Sequence, residues 1–276
     1  MNNAGTIHLK DHNFDLSQAE NSELLIKVSP KRLSYAIINA EKQVSVLFDT
    51  ALQMSVTEMV DELLSENEYL KQKYKTVKIQ TETYHFTFIP DELYSASNLH
   101  IYKGLFAQNA SDKVQVNHIR KAAIMNVFTV QEELIETLLE AYPQAKIYSQ
   151  AEPLIDGIMY NYQGEKLILQ LNESSFELLI INNHIVQYYN IFQINTPDDF
   201  NYYLLFVLQQ LGLTDMDFEV IVSGDIDKES LFYKRIEKYY SKISFSSNIR
   251  IAKPGVTFQD IPEHKFFTLF NLFLCE

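Results

Sequence analysis

Leu24-Leu25-Ile26-Lys27-Val28 and Leu167-Ile168-Leu169-Gln170-Leu171 open the two halves of this chain, and the relation between them decides the fold. Each is a short run of β-favouring residues that reads as a strand. A slide of 143 positions lays Ile26 on Leu169, Val28 on Leu171 and Leu33 on Phe176. It also lays Ile37-Ile38-Asn39 on Ile180-Ile181-Asn182. Outward from the first run, Leu33–Asn39 and Val44–Phe48 continue an antiparallel meander. Phe176–Ile181 and Ile185–Phe192 continue the second. A helix follows each meander. Ser55 and Glu58 supply a capping box before a stripe of Val56, Met59, Val60, Leu63 and Leu64. Thr196, Pro197, Asp198 and Asp199 open the other, ahead of Phe200, Leu204, Val207 and Leu208. Further strands are expected at Tyr84–Ile89, Ala122–Phe128, Ala145–Tyr148, Phe218–Val222 and Ile243–Phe245. Further helices are expected from a Thr129/Glu132 capping box, from Lys228 to Tyr240, and from Lys265 to Cys275. The halves share the order βββαβα, so the chain reads as an α/β protein built by duplication. The expected division is a polar lead-in over 1–22, an N-terminal lobe over 23–160 and a C-terminal lobe over 161–276.

Composition narrows the function. The formal charge is -13 over 276 residues, which disfavours phosphate backbones and anionic lipid, so no nucleic-acid partner is expected. A lone cysteine, Cys275, allows neither an internal disulfide nor a multi-cysteine metal site. The longest apolar stretch, Phe266 to Cys275, falls well short of the ~20 residues of a membrane span. No apolar leader is visible in residues 1–22, so no transmembrane segment and a cytoplasmic location are expected. The chain has seven glycines, and no two of them cluster. Loops that cradle phosphates need clustered glycines to let the backbone approach, so both the dinucleotide fingerprint and the P-loop are missing.

The duplicated βββαβα unit resembles the actin-like ATPase (ribonuclease H-like) architecture shared by actin, sugar kinases and bacterial assembly proteins of the pilus and division machinery. The chain as a whole, from about Glu23 onward, also resembles an uncharacterised bacterial family of unknown function, DUF3822, with that fold. The stretches that carry the likeness are Leu24–Val28, Leu167–Leu171 and Val220-Ile221-Val222-Ser223-Gly224. In the ATPases, the resemblance implies, the hairpin after the first strand of each half bears a magnesium-handling aspartate and phosphate-facing glycines. Here the first hairpin is Val28-Ser29-Pro30-Lys31-Arg32-Leu33, with no acid or glycine and with a proline that removes an amide donor. The second, Leu171-Asn172-Glu173-Ser174-Ser175-Phe176, also lacks glycine. If a nucleotide bound, the resemblance would place Asn172, Glu173, Ser223, Gly224 and Asp225 along its cleft.

Other residue groups are weighed on their own chemistry. Asp225 and Asp227 could hold a divalent cation, but Asp227 is better read as a helix cap. The histidines lack helical metal spacing, and no metal site is expected. Cys275 reads as a buried or terminal spectator thiol. Lys71, Lys73, Lys75 and Lys78 read as a solvated helix end. The doublets Tyr188-Tyr189, Tyr202-Tyr203, Tyr239-Tyr240 and Phe266-Phe267 suggest one ring of each turned outward, as at protein interfaces. The expectation is a non-catalytic actin-like protein without a cofactor, an interaction or assembly module with a protein partner or a second copy of itself. The alternative is a divergent ATPase or kinase of the same superfamily that uses ATP and magnesium.

Overall fold

The computed structural model describes residues 6–52, 54–106, 112–183, 185–248, 253–254 and 256–276. These residues form 15 strands and seven α-helices. In chain order they begin with β1 (Ile7–Lys10), β2 (Glu23–Val28), β3 (Arg32–Ile38), β4 (Gln43–Ala51), α1 (Val56–Glu66) and β5 (Thr76–Thr81). Next come β6 (Phe86–Pro90), α2 (Leu99–Gly104), β7 (Asp112–Ile119), β8 (Ile124–Gln131), α3 (Glu132–Ala141), β9 (Lys146–Ser149) and α4 (Ala151–Asn161). The second half brings β10 (Glu165–Leu171), β11 (Ser175–Asn182), β12 (Ile185–Gln193), α5 (Pro197–Gln210), β13 (Glu219–Gly224), α6 (Leu231–Ile236) and β14 (Ile243–Phe245). The chain closes with β15 (Lys253–Pro254) and α7 (Phe267–Asn271).

Two sheets repeat one topology. The first runs β1-β4-β3-β2-β5-β9, with β15 added on β4; the second runs β12-β11-β10-β13-β14. In each, three strands form an antiparallel meander, and two more add in parallel beside the first of them. The registers obey the 143-residue displacement. Leu24 faces Ile37 and Val77, while Leu167 faces Ile180 and Val220. Both meanders shift register at the same place, between Ile37 and Ile38 and between Ile180 and Ile181. A bulge extends no apolar surface, so its repetition marks inheritance of backbone geometry rather than a chance likeness of apolar runs. A third sheet, β6-β8-β7, sits between β5 and α3 in sequence; the second half has no counterpart among its described residues.

The chain packs as two compact units. One comprises Met1–Gly157, Ile249–Asp260 and Thr268–Glu276; the other comprises Ile158–Asn248 and Ile261–Phe267. The division thus falls inside α4, and the last stretch of the chain returns to the first unit instead of staying with 161–276. In the first unit, Leu24, Ile26, Val28, Tyr35, Ile37 and Ile79 make the core with Val60 of α1 and Leu134, Ile135 and Leu138 of α3. In the second, Leu167, Leu169, Leu171, Phe176 and Val222 pack on Phe200, Leu204 and Leu208 of α5 and Ile236 of α6. The capping box expected at Ser55 is present, and Thr196 caps α5 as expected, with Asp199 closing a capping box there as well.

Several local readings are corrected. Part of the polar lead-in is structured: β1 pairs with β4, and a 3-10 turn spans Leu16–Asn21 under an Asp15 cap. The lysine-rich stretch does not end a helix. α1 stops at Glu66, and Thr76–Thr81 is a central parallel strand. Thr129 lies within β8 and caps nothing; α3 starts after Gln131 without a side-chain cap. α6 is capped by Ser230, and Asp227 instead accepts the amides of Glu229 and Ser230 in the preceding turn. The final helix is a single turn of α-helix flanked by 3-10 turns.

Candidate functional site

Parallel pairing of β10 with β13 aligns Leu171 with Gly224 at the carboxyl ends of the strands, the position where open α/β sheets take ligands. Strand alternation sends Leu169, Leu171 and Val222 into the apolar core and turns Gln170 and Ser223 to the other face. There the Ser223 hydroxyl donates to Gln170 Oε1 at 2.6 Å, and Gln170 Nε2 donates to Asn172 Oδ1 at 3.3 Å. The Asn172 amide group reaches Ser175 Oγ at 3.1 Å and Glu177 Oε1 at 3.4 Å, and Tyr189 donates to Glu177 Oε2 at 2.8 Å. Gln170, Ser175, Glu177 and Ser223 are fully buried or nearly so.

The backbone at this end is also committed. The amide of Asn172 donates to Ser175 O at 2.9 Å, that of Asp225 to Leu171 O at 2.8 Å, and that of Ile226 to Gly224 O at 2.9 Å. Gly224 has φ 84°, and a Cβ there would stand 1.8 Å from Leu171 O. This glycine is therefore needed to press two strand ends together, not to make room for a ligand. Asp225 Oδ1 lies 3.7 Å from Lys265 Nζ. His264 Nε2 lies 2.8 Å from Ile226 O, its ring 4.3 Å from that of Phe245, and burial lowers its pKa. The structure places Asn172, Ser223, Gly224 and Asp225 together at the ends of β10 and β13, and sets Glu173 at the exposed tip of the hairpin. The side chains of Gln170, Asn172, Glu177 and Ser223 are turned on one another. The first hairpin is similarly tied: the Ser29 amide donates to Arg32 O at 2.9 Å, and the Arg32 guanidinium lies 3.4 Å from the buried carboxylate of Asp49.

A second cluster escaped the sequence reading. Glu152 and Asp156, one turn apart on α4, meet the Cys275 thiol in the first unit; all three are buried, with ligand atoms within 4.8 Å of one another. Neither carboxylate oxygen of Glu152 has a hydrogen-bond partner among the described residues, nor has the Tyr148 hydroxyl. Burial, with Asp156 adding to it, pushes the Glu152 carboxyl up to about 9. Burial likewise raises Asp156 to about 6 and pushes the Cys275 thiol up. Lys78 emerges from β5 beside them; its Nζ donates to the carbonyls of Phe273 at 2.7 Å and Cys275 at 2.6 Å. The available signal was Glu152-x-x-x-Asp156 within an apolar helix, obscured by Pro153 and Gly157.

The aromatic doublets divide. Tyr202 and Tyr239 are exposed while Tyr240 is buried, as expected; Phe266 and Phe267 are both buried. Tyr202 stacks on Phe206 along the outer face of α5 with ring centroids 5.8 Å apart, and both are exposed.

Comparison with known proteins fixes the fold. A Bacteroides thetaiotaomicron protein of unknown function with an actin-like ATPase fold superposes with a TM-score of 0.81 at 21% identity, over 95% of this chain and 99% of that one. A structure of the PilM–PilN type IV pilus biogenesis complex matches with a TM-score of 0.65 at 9% identity, over 91% of this chain and 97% of that one. The chain therefore has the actin-like ATPase fold. No curated protein matches the sequence. Residues 11–243 match the family described as Protein of unknown function (DUF3822), and the chain belongs to that family.

Proposed function

We propose that this chain is a non-catalytic member of the actin-like fold that works as a protein-interaction or assembly module. The observation that carries this reading is the self-satisfied end of β10 and β13. The amides of Asn172 and Asp225 are spent on Ser175 O and Leu171 O, and Gly224 is pressed against Leu171 O. A triphosphate held in a site of this kind depends on free backbone donors and on an acid for magnesium. Of the acids at this end, Glu177 accepts from Asn172 and Tyr189, and Asp225 is paired with Lys265. An outward-facing Tyr202–Phe206 stack on α5 offers the kind of aromatic surface on which partners dock. The pilus biogenesis neighbour is itself seen in a complex, which is the type of role proposed here.

The test is thermal melting of the full chain with ATP and magnesium at saturating concentration. Ligand at 100 times Kd adds about 2.7 kcal/mol, which raises Tm by several degrees in a chain of this size. The expected result is no shift with ATP, ADP or GTP. A reproducible rise with any of them overturns the reading and restores the ATPase or kinase alternative.

A further inference from the structure

We propose that Glu152, Asp156 and Cys275 form a buried divalent-cation site, suited to zinc, that fastens the C-terminal tail to helix α4. The site is independent of the function proposed above. Its geometry comes first. Residues four apart on a helix lie on one face, one turn from each other, so α4 presents two carboxylates side by side. The tail after α7 brings the thiol to the same point, and the three ligand atoms lie within 4.8 Å of one another. Ligands held roughly 2.0–2.3 Å from a tetrahedral ion sit about 3.5 Å apart, so a contraction of about 1 Å closes the group.

The second observation is the state of Glu152. Its side chain is fully buried, and both carboxylate oxygens lack a hydrogen-bond partner among the described residues. A buried carboxylate without partners is neutralised either by a proton or by a bound cation. Lys78 acts electrostatically on Glu152, Asp156 and Cys275 alike, but its Nζ donates to two tail carbonyls instead. One divalent cation answers both needs. Two deprotonated carboxylates and a thiolate carry three negative charges, which a divalent cation offsets together with the Lys78, Lys121 and Lys146 ammonium groups that act on them. A thiolate ligand selects zinc over magnesium or calcium, which prefer oxygen alone. Tyr148, buried with its hydroxyl unpaired beside the same groups, is placed to donate an outer hydrogen bond to a bound carboxylate. The three ligands tie together two segments that are far apart in sequence and leave the fourth tetrahedral position to water.

The experiment uses the full chain, stripped with chelator, loaded with zinc or cobalt and desalted. The expected result is one zinc retained per chain, and a sulfur-to-cobalt charge-transfer band in the cobalt form. Cys275→Ser should abolish the band, and Cys275→Ser and Glu152→Gln should each weaken zinc binding by well over 10-fold, since losing even an outer partner costs roughly 10–100-fold. Zinc should raise Tm in the parent chain and not in either variant. The cobalt band is read on the unmutated chain, so it remains decisive if a variant does not fold. Metal retained without a thiolate band, folded variants that bind zinc like the parent, or no retained metal would each overturn the proposal.

Discussion

Gly224 shows how much of this molecule rests on a single backbone angle. Its φ of 84° belongs to the left-handed region, and any Cβ would collide with Leu171 O and Gln170 Nε2. Gly224→Ala should cost more than the about 1–3 kcal/mol of the strained angle alone, because the β10 and β13 ends must also part. Urea unfolding checks this; an unchanged midpoint would mean that the strand ends are not pressed together. His264 is a second residue-scale case. Burial lowers its pKa from the usual 6.5, against the opposing pull of the Ile226 carbonyl, Asp227 and Asp225. The unfolded chain therefore takes up this proton at a higher pH than the folded one. The contribution of His264 to stability is complete above its unfolded value and is lost as pH falls from there through the folded value. Comparing unfolding between about pH 7.5 and about pH 5.5, the parent should lose more stability than His264→Gln; parallel curves would refute it.

At the scale of elements, the repeated strands were legible because β10, β11 and β13 are buried on both faces and read as unbroken apolar runs. α1 and α5 were legible because their caps are local side-chain chemistry. β5 was not, because Lys78 looks solvated until the Phe273 carbonyl, 195 residues later, accepts from it. α4 was hidden by Gly157 in its middle. That glycine answers to α7, whose Asn271 Cγ would stand 2.5 Å from an added Cβ. In the candidate site, the residue types at the strand ends were visible in the sequence, but their mutual hydrogen bonds were not. The cluster of Glu152, Asp156 and Cys275 joins segments more than a hundred positions apart, so the spacing of the two carboxylates alone does not reveal its third member. The tail itself belongs to the first unit. Leu272 is fully buried in the turn after α7. Leu272→Ala should cost about 2–5 kcal/mol in denaturant unfolding; a loss under about 1 kcal/mol would argue against firm docking of the tail.

For the whole molecule, duplication supplied two copies of one sheet, down to the bulge at Ile37/Ile38 and Ile180/Ile181. The copies then diverged by insertion. Only the first carries the β6-β8-β7 sheet among the described residues, and nothing in a half-by-half comparison of sequence foretells where that sheet packs. The buried polar face of the second sheet is satisfied from within by Gln170, Asn172, Glu177 and Ser223. Within the first unit, Lys27 Nζ donates to Thr268 Oγ1 at 3.1 Å, one more tie to Thr268–Glu276. That placement sets a timetable for synthesis. A ribosome finishes residues 1–157 long before it emits 268–276, so the amino-terminal half must wait, uncapped, through translation of the entire intervening stretch. The first unit is therefore completed only once residues 268–276 have emerged, and its maturation waits on them.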